Sequence, residues 1–411
     1  MNIAIISSGF FPVIDGVTVT LYHRLKILSD RHHQVLVFCP DYRSLESIYP
    51  NWRDYIGEIL PGVRVINLPS IEFMGLNFER NISRQAYPLL LQELAHFQPD
   101  IIHVDEPDRH FLSLFKYPGV DFSRRSNIPC VGFFHTNFIE YIDDYFDLPS
   151  VLLKLFQFIS RFLIARNYNA YDATLTASAE TSKKLTQMGI RNVICEDLLG
   201  IELDSFDLAL RDRQFFAQTY GLPAIDRKLK LVFLGRLTPD KGWKFTLDAC
   251  AQLAQVTHID NLAIVIAGDG PMRDQIAAQL GQLGFSTALL GRVAPRDVPA
   301  LLVNCDIHVT TSEKETRGLT LLEAFAAGIP VIAPRAGGVI DSIQPGQNGC
   351  LFEPGNQMDF ISQLIALIHN SDLRQTLGRK ARETVAHYTW ENAVERLIQI
   401  WQQQIDRKSE G

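Results

Sequence analysis

"TSEKETRGLTLLEAFAAGIPV" (311–331) decides how this chain is read. Glu315 and Glu323 stand eight residues apart in it, with Gly318 between them and a helical pattern beginning at Leu319. Gly318 permits a backbone turn that a residue with a Cβ resists. The helix that follows offers unpaired N–H groups at its start, where an anion is favoured. Glu323 lies about 6 Å further along the axis, the step from a diphosphate to the ribose of one nucleotide. A carboxylate there suits both ribose hydroxyls, and Glu315 on the preceding loop reaches the other end of such a ligand. Spacing alone is weak evidence, because 46 acidic residues produce such pairs by chance. The strand, glycine turn and helix around the pair carry the weight.

Working outward, the same half of the chain alternates short apolar runs with amphipathic segments. The runs are "LKLVFLGRL" (229–237), "LAIVIAGDG" (262–270), "TALLGRV" (287–293), "DIHVTTS" (306–312), "PVIAPRAGG" (330–338) and "GCLFEPGN" (349–356). Helical patterns fill about Trp243–Val256, Met272–Leu283, Arg296–Cys305 and Leu319–Ala327. The first half repeats the theme with "IAIIS" (3–7), "QVLVFCP" (34–40), "VRVINLP" (63–69), "DIIHVDEP" (100–107), "CVGFFHT" (130–136) and "ATLTAS" (173–178), and with helices near Thr20–Asp30, Arg84–His96 and Ser178–Met188. Unbroken apolar strands alternating with helices mark parallel sheets covered on both faces. A charged, poorly periodic stretch near 204–230 separates the halves. The expectation is an α/β chain of two doubly wound domains, residues 1–205 and 206–385. A tail at 386–411 follows, whose Trp390, Val394, Leu397 and Trp401 share one helical face.

A chain of 411 residues accommodates two cores. Its net charge of −7 argues against a nucleic-acid partner, which calls for a basic face. Six cysteines are scattered singly, as reduced thiols in a cytosolic protein are. The N-terminal run is too short for a signal peptide, and no stretch approaches the roughly 18 apolar residues of a spanning helix. A cytoplasmic location is expected, with peripheral attachment at the inner membrane surface left open. "LLKLFQFISRFLIAR" (152–166), rich in Leu, Phe and Ile with Lys154, Arg161 and Arg166, is taken as a buried domain helix over a membrane-surface one.

Ligands of open α/β sheets bind beyond the carboxyl ends of the strands. The dinucleotide fingerprint G-x-G-x-x-G and the phosphate loop are both absent, which weakens dehydrogenase and ATPase readings. "AGDGP" (267–271), with Gly268, is by itself only a turn. "GRLTPDKGW" (235–243) puts Arg236 and Lys241 around a strand-end turn, suited to a diphosphate or simply to solvent. "SSGFFPVIDGVT" (7–18) enters a helix through Gly16, where backbone amides can approach a ligand or the glycine can be an ordinary turn former. His135, in "FFHTNFIEYIDDYF" (133–146), follows a strand and stands beside Thr136 and Asn137; a single histidine is more often a core or surface group. His103 and Asp105 are a weaker case of the same kind. No Asp-x-Asp occurs, so no metal site is supplied in the obvious way.

Together these pieces resemble family 4 of the retaining glycosyltransferases, whose GT-B fold sets two Rossmann-like domains facing across a cleft. "ETRGLTLLEAFAAGIPVIAPRAGG" is similar to that family's E-x7-E segment and following G-x-P-V, and "GRLTPDKG" to its G-R-L-x-x-x-K-G. "AGDGP", "LLGRV" and "FFPVIDGVT" fall in the family's order. The resemblance implies that Arg236 and Lys241 clamp a donor diphosphate, Glu323 holds the ribose and Glu315 the sugar hydroxyls. It puts Arg292 and Val293 by the base and the N–H groups of Gly318, Leu319 and Thr320 on phosphates and sugar. Gly268 joins these donor-binding residues, Gly16 brings its amide near phosphate or sugar, and His135 sits at the reacting sugar face. The tail helix would cross back to the first domain. Hexosyl transfer from a UDP- or GDP-sugar to a lipid or glycan hydroxyl is implied, with retention, without a cofactor and with no metal expected. "FFHTNFIEY" and "PRAGGVID" are most similar to the mannosyltransferase and sulfolipid-type subgroup. Arg317, where the family usually has Phe or Leu, and Leu199, where Asn or Arg is common, depart from the pattern. The alternatives weighed are a nucleotide-sugar epimerase and a non-catalytic nucleotide-sugar-binding subunit.

Overall fold

The computed structural model describes residues 1–73, 76–135 and 150–410, and of residues 76–78 and 150–157 the backbone alone. Thr136, Asn137 and the side chain of Lys154, singled out above, lie outside what is described. The described residues form two compact units, one from 1–135, 150–200 and 390–410 and the other from 201–389.

The first unit is built on a sheet in the spatial order Val193–Cys195, Ala173–Thr176, Cys130–Phe133, Ile101–Asp105, Asn2–Ile6, Gln34–Pro40, Val63–Leu68 and Gly57–Leu60. All neighbours are parallel except the last pair. The central strands are unbroken apolar runs because both faces are covered: Ile3 to Ile6 and Leu36 to Phe38 are fully buried. Chain order reverses between Asn2–Ile6 and Ile101–Asp105, paired with Ile6 opposite Val104. That reversal opens a crevice at the carboxyl ends of these two strands. The helix Trp390–Glu410 completes this unit: Trp390 stacks on His23 at 4.8 Å, and Val394, Leu397 and Trp401 are buried.

The second unit holds six parallel strands in the order Ser286–Gly291, Leu262–Ala267, Leu229–Leu234, Ile307–Val309, Val331–Pro334 and Gly349–Phe352. Numbered within the unit, this is 3-2-1-4-5-6, the order of a doubly wound nucleotide-binding sheet. Its reversal lies between Leu229–Leu234 and Ile307–Val309. Phe245, Phe352 and Phe360 meet with ring centroids 5.0 to 5.6 Å apart and anchor one face of its core.

Each strand expected from an apolar run is found. The edge strands Gly57–Leu60 and Val193–Cys195 and the separate hairpin Ser70–Phe73 with Leu76–Ile82 were not foreseen, because they carry too few apolar residues to show a period. One expectation is corrected. The helix Ser150–Tyr168 is not sunk in the core: Phe158, Ile159, Phe162 and Leu163 are 71%, 46%, 62% and 42% exposed. Among its described side chains, burial is confined to the final turns, where Ala165 and Tyr168 pack with Phe134, Leu185 and Ile190.

Candidate functional site

In the second unit the residues after the two strands at the reversal point are stitched together. Gly235 begins the loop after Leu229–Leu234, and Pro239–Lys241 forms a single 3-10 turn closed by Gly242 at φ 75°. A Cβ on Gly242 would stand 2.4 Å from the Thr311 carbonyl oxygen, so only glycine lets this turn press against the neighbouring strand end. Thr311 Oγ1 shares a hydrogen bond with Thr246 Oγ1 at 2.7 Å, and Ser312 Oγ donates to the Asp240 carbonyl at 3.1 Å. Two sequence-predicted residues meet here: Lys241 Nζ donates to Glu315 Oε1 at 2.6 Å. Arg236 Nη2 lies 3.7 Å from the buried carboxylate of Asp240. Gly338 N–H donates to the Glu315 carbonyl at 2.7 Å, so "PRAGG" serves as a backstop to the Glu315 loop.

The helix Leu319–Ala326 follows, entered through Gly318 at φ 80°, ψ 83° and without a side-chain cap. Leu321, Leu322 and Phe325 are buried, while Leu319, Thr320 and Glu323 lie on the less covered face. Burial pushes the Glu323 carboxyl up to about 8. Near neutrality it is therefore largely a neutral acid, able to donate one hydrogen bond as well as accept others. Arg317 is buried, its guanidinium 5.3 Å over the ring of Tyr388.

Gly268 and Gly270 shape the basic turn from behind. A Cβ on Gly268 would fall 1.8 Å from the Gly235 carbonyl oxygen, and one on Gly270 2.5 Å from that of Leu237. Leu237 N–H donates to the Asp269 carbonyl at 2.9 Å, locking the two loops. Arg292 Nε lies 3.8 Å from Asp269 Oδ2, and Val293 beside it is half-buried.

In the first unit Gly16 is the first residue of the helix Gly16–Asp30. The Asp15 carboxylate accepts from Thr18 N–H at 2.9 Å, and Thr18 Oγ1 accepts from Asp15 N–H at 3.0 Å. Among the described residues, nothing lies within 4 Å of where a Gly16 Cβ would stand. Across the reversal point, Ser8 donates to Glu106, which has an αL backbone at φ 52° and is buried. Arg109 pairs with Glu79 at 3.1 Å and reaches Glu106 at 3.8 Å. His135 Nε2 lies 2.7 Å from Asp105 Oδ1, and His103 Nε2 lies 3.1 Å from the same oxygen. Burial pushes the Asp105 carboxyl up, but Arg24 and the two histidines outweigh it and hold it well below the usual range. Ser8, Arg24, Glu106 and Arg109 had no place in the sequence reading. "VDEPDRH" (104–110) was the available signal, a dense charged run immediately after an apolar strand.

Among the described residues, no group of three or more His, Cys, Asp or Glu is arranged to hold a metal ion. Likewise, no described helix is long and apolar enough to cross a membrane.

Comparison with known proteins adds the following. Residues 14–195 match the family described as Glycosyltransferase Family 4, and residues 221–384 the family described as Glycosyl transferases group 1. A GDP-mannose-dependent alpha-mannosyltransferase of Mycolicibacterium smegmatis is 28% identical over 414 residues, covering 100% of this chain and 99% of that protein. A sulfoquinovosyl transferase of Arabidopsis thaliana is 29% identical over 75% of this chain; the match spans 58% of that protein's length. Among solved structures, sucrose-phosphate synthase from Thermosynechococcus elongatus superposes with a TM-score of 0.77 at 20% identity, over 99% of each chain. HepE of Anabaena, in complex with UDP and glucose, gives 0.73 at 18% identity over 98% of this chain and 100% of its own. At such identities these structures establish likeness of fold.

Proposed function

The chain belongs to the glycosyltransferases, family 4 through its first half and group 1 through its second, and on that premise we propose that it moves a hexosyl group from a UDP- or GDP-sugar to an acceptor hydroxyl with retention of configuration. The observation that carries this reading is the second unit's reversal point, where Arg236 and Lys241, each held beside a carboxylate, stand in the strand-end loops that lead to the start of the helix Leu319–Ala326. A diphosphate leaving group develops negative charge as the glycosidic bond breaks, and fixed cations with backbone N–H groups stabilise it without reorganising. Glu323 then takes the ribose and Glu315 the sugar hydroxyls, so both glutamates position the donor rather than act as an acid/base pair. By the family resemblance, His135 is assigned to the reacting sugar and Arg292 and Val293 to the base. The names of the mycobacterial and plant relatives support a hexose-like donor and this subgroup.

On the acceptor side, a lipid is favoured over a free glycan. The exposed face of Phe158, Ile159, Phe162 and Leu163 is flanked by exposed Arg161 and Arg166, which suits an anionic lipid surface.

Calorimetric titration with UDP-, GDP- and ADP-sugars, followed by transfer assays with the tightest donor, tests the reading. One donor is expected to bind and to give product of unchanged anomeric configuration by NMR. Binding of none, or an inverted product, would overturn it. The protein's own cations are assigned the charge-stabilising role, so transfer should persist in EDTA; loss restored by Mg²⁺ would refute that assignment.

A further inference from the structure

Five side chains from four segments of the first unit meet in one buried network: Trp401 of the tail helix, His103 and Asp105 of the strand Ile101–Asp105, Arg24 of the helix Gly16–Asp30, and His135 two residues past Cys130–Phe133. Trp401 and His103 are 0% exposed, Asp105 1% and Arg24 2%. Trp401 Nε1–H donates to His103 Nδ1 at 3.3 Å. His103 Nε2 lies 3.1 Å from Asp105 Oδ1 and 3.1 Å from Arg24 Nη1. Asp105 Oδ1 also faces His135 Nε2 at 2.7 Å and accepts from Arg24 Nη1 at 3.4 Å, and Asp105 Oδ2 has no hydrogen-bond partner among the described residues. One carboxylate oxygen thus joins both histidines.

These contacts decide a tautomer. A neutral imidazole carries one N–H. With the proton on Nε2, His103 accepts from Trp401 and donates to Asp105, and only Arg24 meets it donor to donor. With the proton on Nδ1, it opposes the Trp401 N–H and turns a lone pair toward a carboxylate, gaining Arg24 alone. Trp401 therefore tips the balance. The doubly protonated ring would also oppose Trp401, and burial lowers the His103 pKa to about 4.

We propose that Trp401, acting through His103 and Asp105, is a positioning residue that fixes the tautomer and angle of the His135 ring. With His103 protonated on Nε2, Asp105 Oδ1 stays fixed and takes the His135 Nε2–H. That leaves the lone pair of His135 on Nδ1, with the ring braced by Phe133 at a centroid distance of 3.9 Å. The helix Trp390–Glu410, nearly 300 residues further along the chain, thereby sets the ring assigned to the reacting sugar. The functional half of this inference rests on that assignment of His135; the tautomer half does not.

The test is ¹⁵N–¹H spectroscopy of the histidine ring nitrogens in the full chain, labelled at histidine, for wild type and Trp401→Phe. In wild type, both His103 and His135 should show a pyrrole-like Nε2 and a pyridine-like Nδ1. Trp401→Phe removes the N–H together with the part of the ring that carries it, so His103 should become a tautomer mixture and the His135 signals should move. Its kcat should fall about tenfold with KM for the donor unchanged, in the range found when a hydrogen bond that orients a functional histidine is lost. A wild-type His103 protonated on Nδ1 overturns the relay, as do unmoved His135 signals in the variant. Should Trp401→Phe not fold, Asp105→Asn keeps the side-chain volume and can present an N–H to His135 Nε2. It is expected to reverse the His135 tautomer, and an unchanged one refutes the relay. His135→Ala separates the two layers: wild-type turnover there removes the assignment of His135 while the spectra still judge the relay.

Discussion

Lys241 and Glu315 form an ion pair of 2.6 Å while each keeps about a fifth of its side chain exposed. A donor that engages both must open this pair, exchanging one charge contact for a diphosphate on one side and sugar hydroxyls on the other. Lys241→Ala should lower turnover by about a hundredfold or more, the usual cost of one preorganised charge-stabilising donor; steady-state rates near wild type would refute the role. Glu323 carries a pH signature. Its carboxyl rises from an ordinary 4.5 to about 8 in the fold, so the folded state binds the extra proton between those values. Stability contributed by the neutral acid is full below pH 4.5 and is lost as pH rises toward about 8. Melting curves of wild type and Glu323→Gln across that range should converge at the acid end and diverge in favour of the variant at the alkaline end. Parallel curves would contradict the shift.

At the scale of elements, glycines sort into two kinds. Gly268 is demanded by the fold, because a Cβ would overlap the Gly235 backbone. Gly16 is not, since among the described residues an added Cβ meets nothing within 4 Å. Gly268→Ala should destabilise by about 3 kcal/mol or more, whereas Gly16→Ala should leave Tm unchanged and lower activity if a ligand approaches that amide. Equal melting temperatures for both would remove the distinction. The helix Ser150–Tyr168 was legible as a helix but not as an exposed one. Its Leu, Phe and Ile are nearly as dense as in a buried segment, and only three-dimensional packing reveals which face lacks neighbours. In flotation with anionic vesicles, wild type should rise with the lipid and Phe158→Ser with Phe162→Ser should not; equal flotation would count against the surface.

For the whole molecule, two doubly wound sheets were legible because parallel strands buried on both faces write themselves as continuous apolar runs. The second unit's candidate site was singled out for a related reason: Arg236, Lys241, Glu315 and Glu323 sit in short segments with glycine turns beside strand ends. The first unit's network was not. His103, Asp105 and Trp401 meet only because the tail helix returns to this sheet, and no local pattern encodes such a contact. The central claim is that the second unit holds a nucleotide-linked sugar by its diphosphate. A crystal structure with the donor identified by calorimetry tests it most directly. The diphosphate is expected against Arg236, Lys241 and the start of the helix Leu319–Ala326, with ribose on Glu323. A donor bound away from that turn would contradict it.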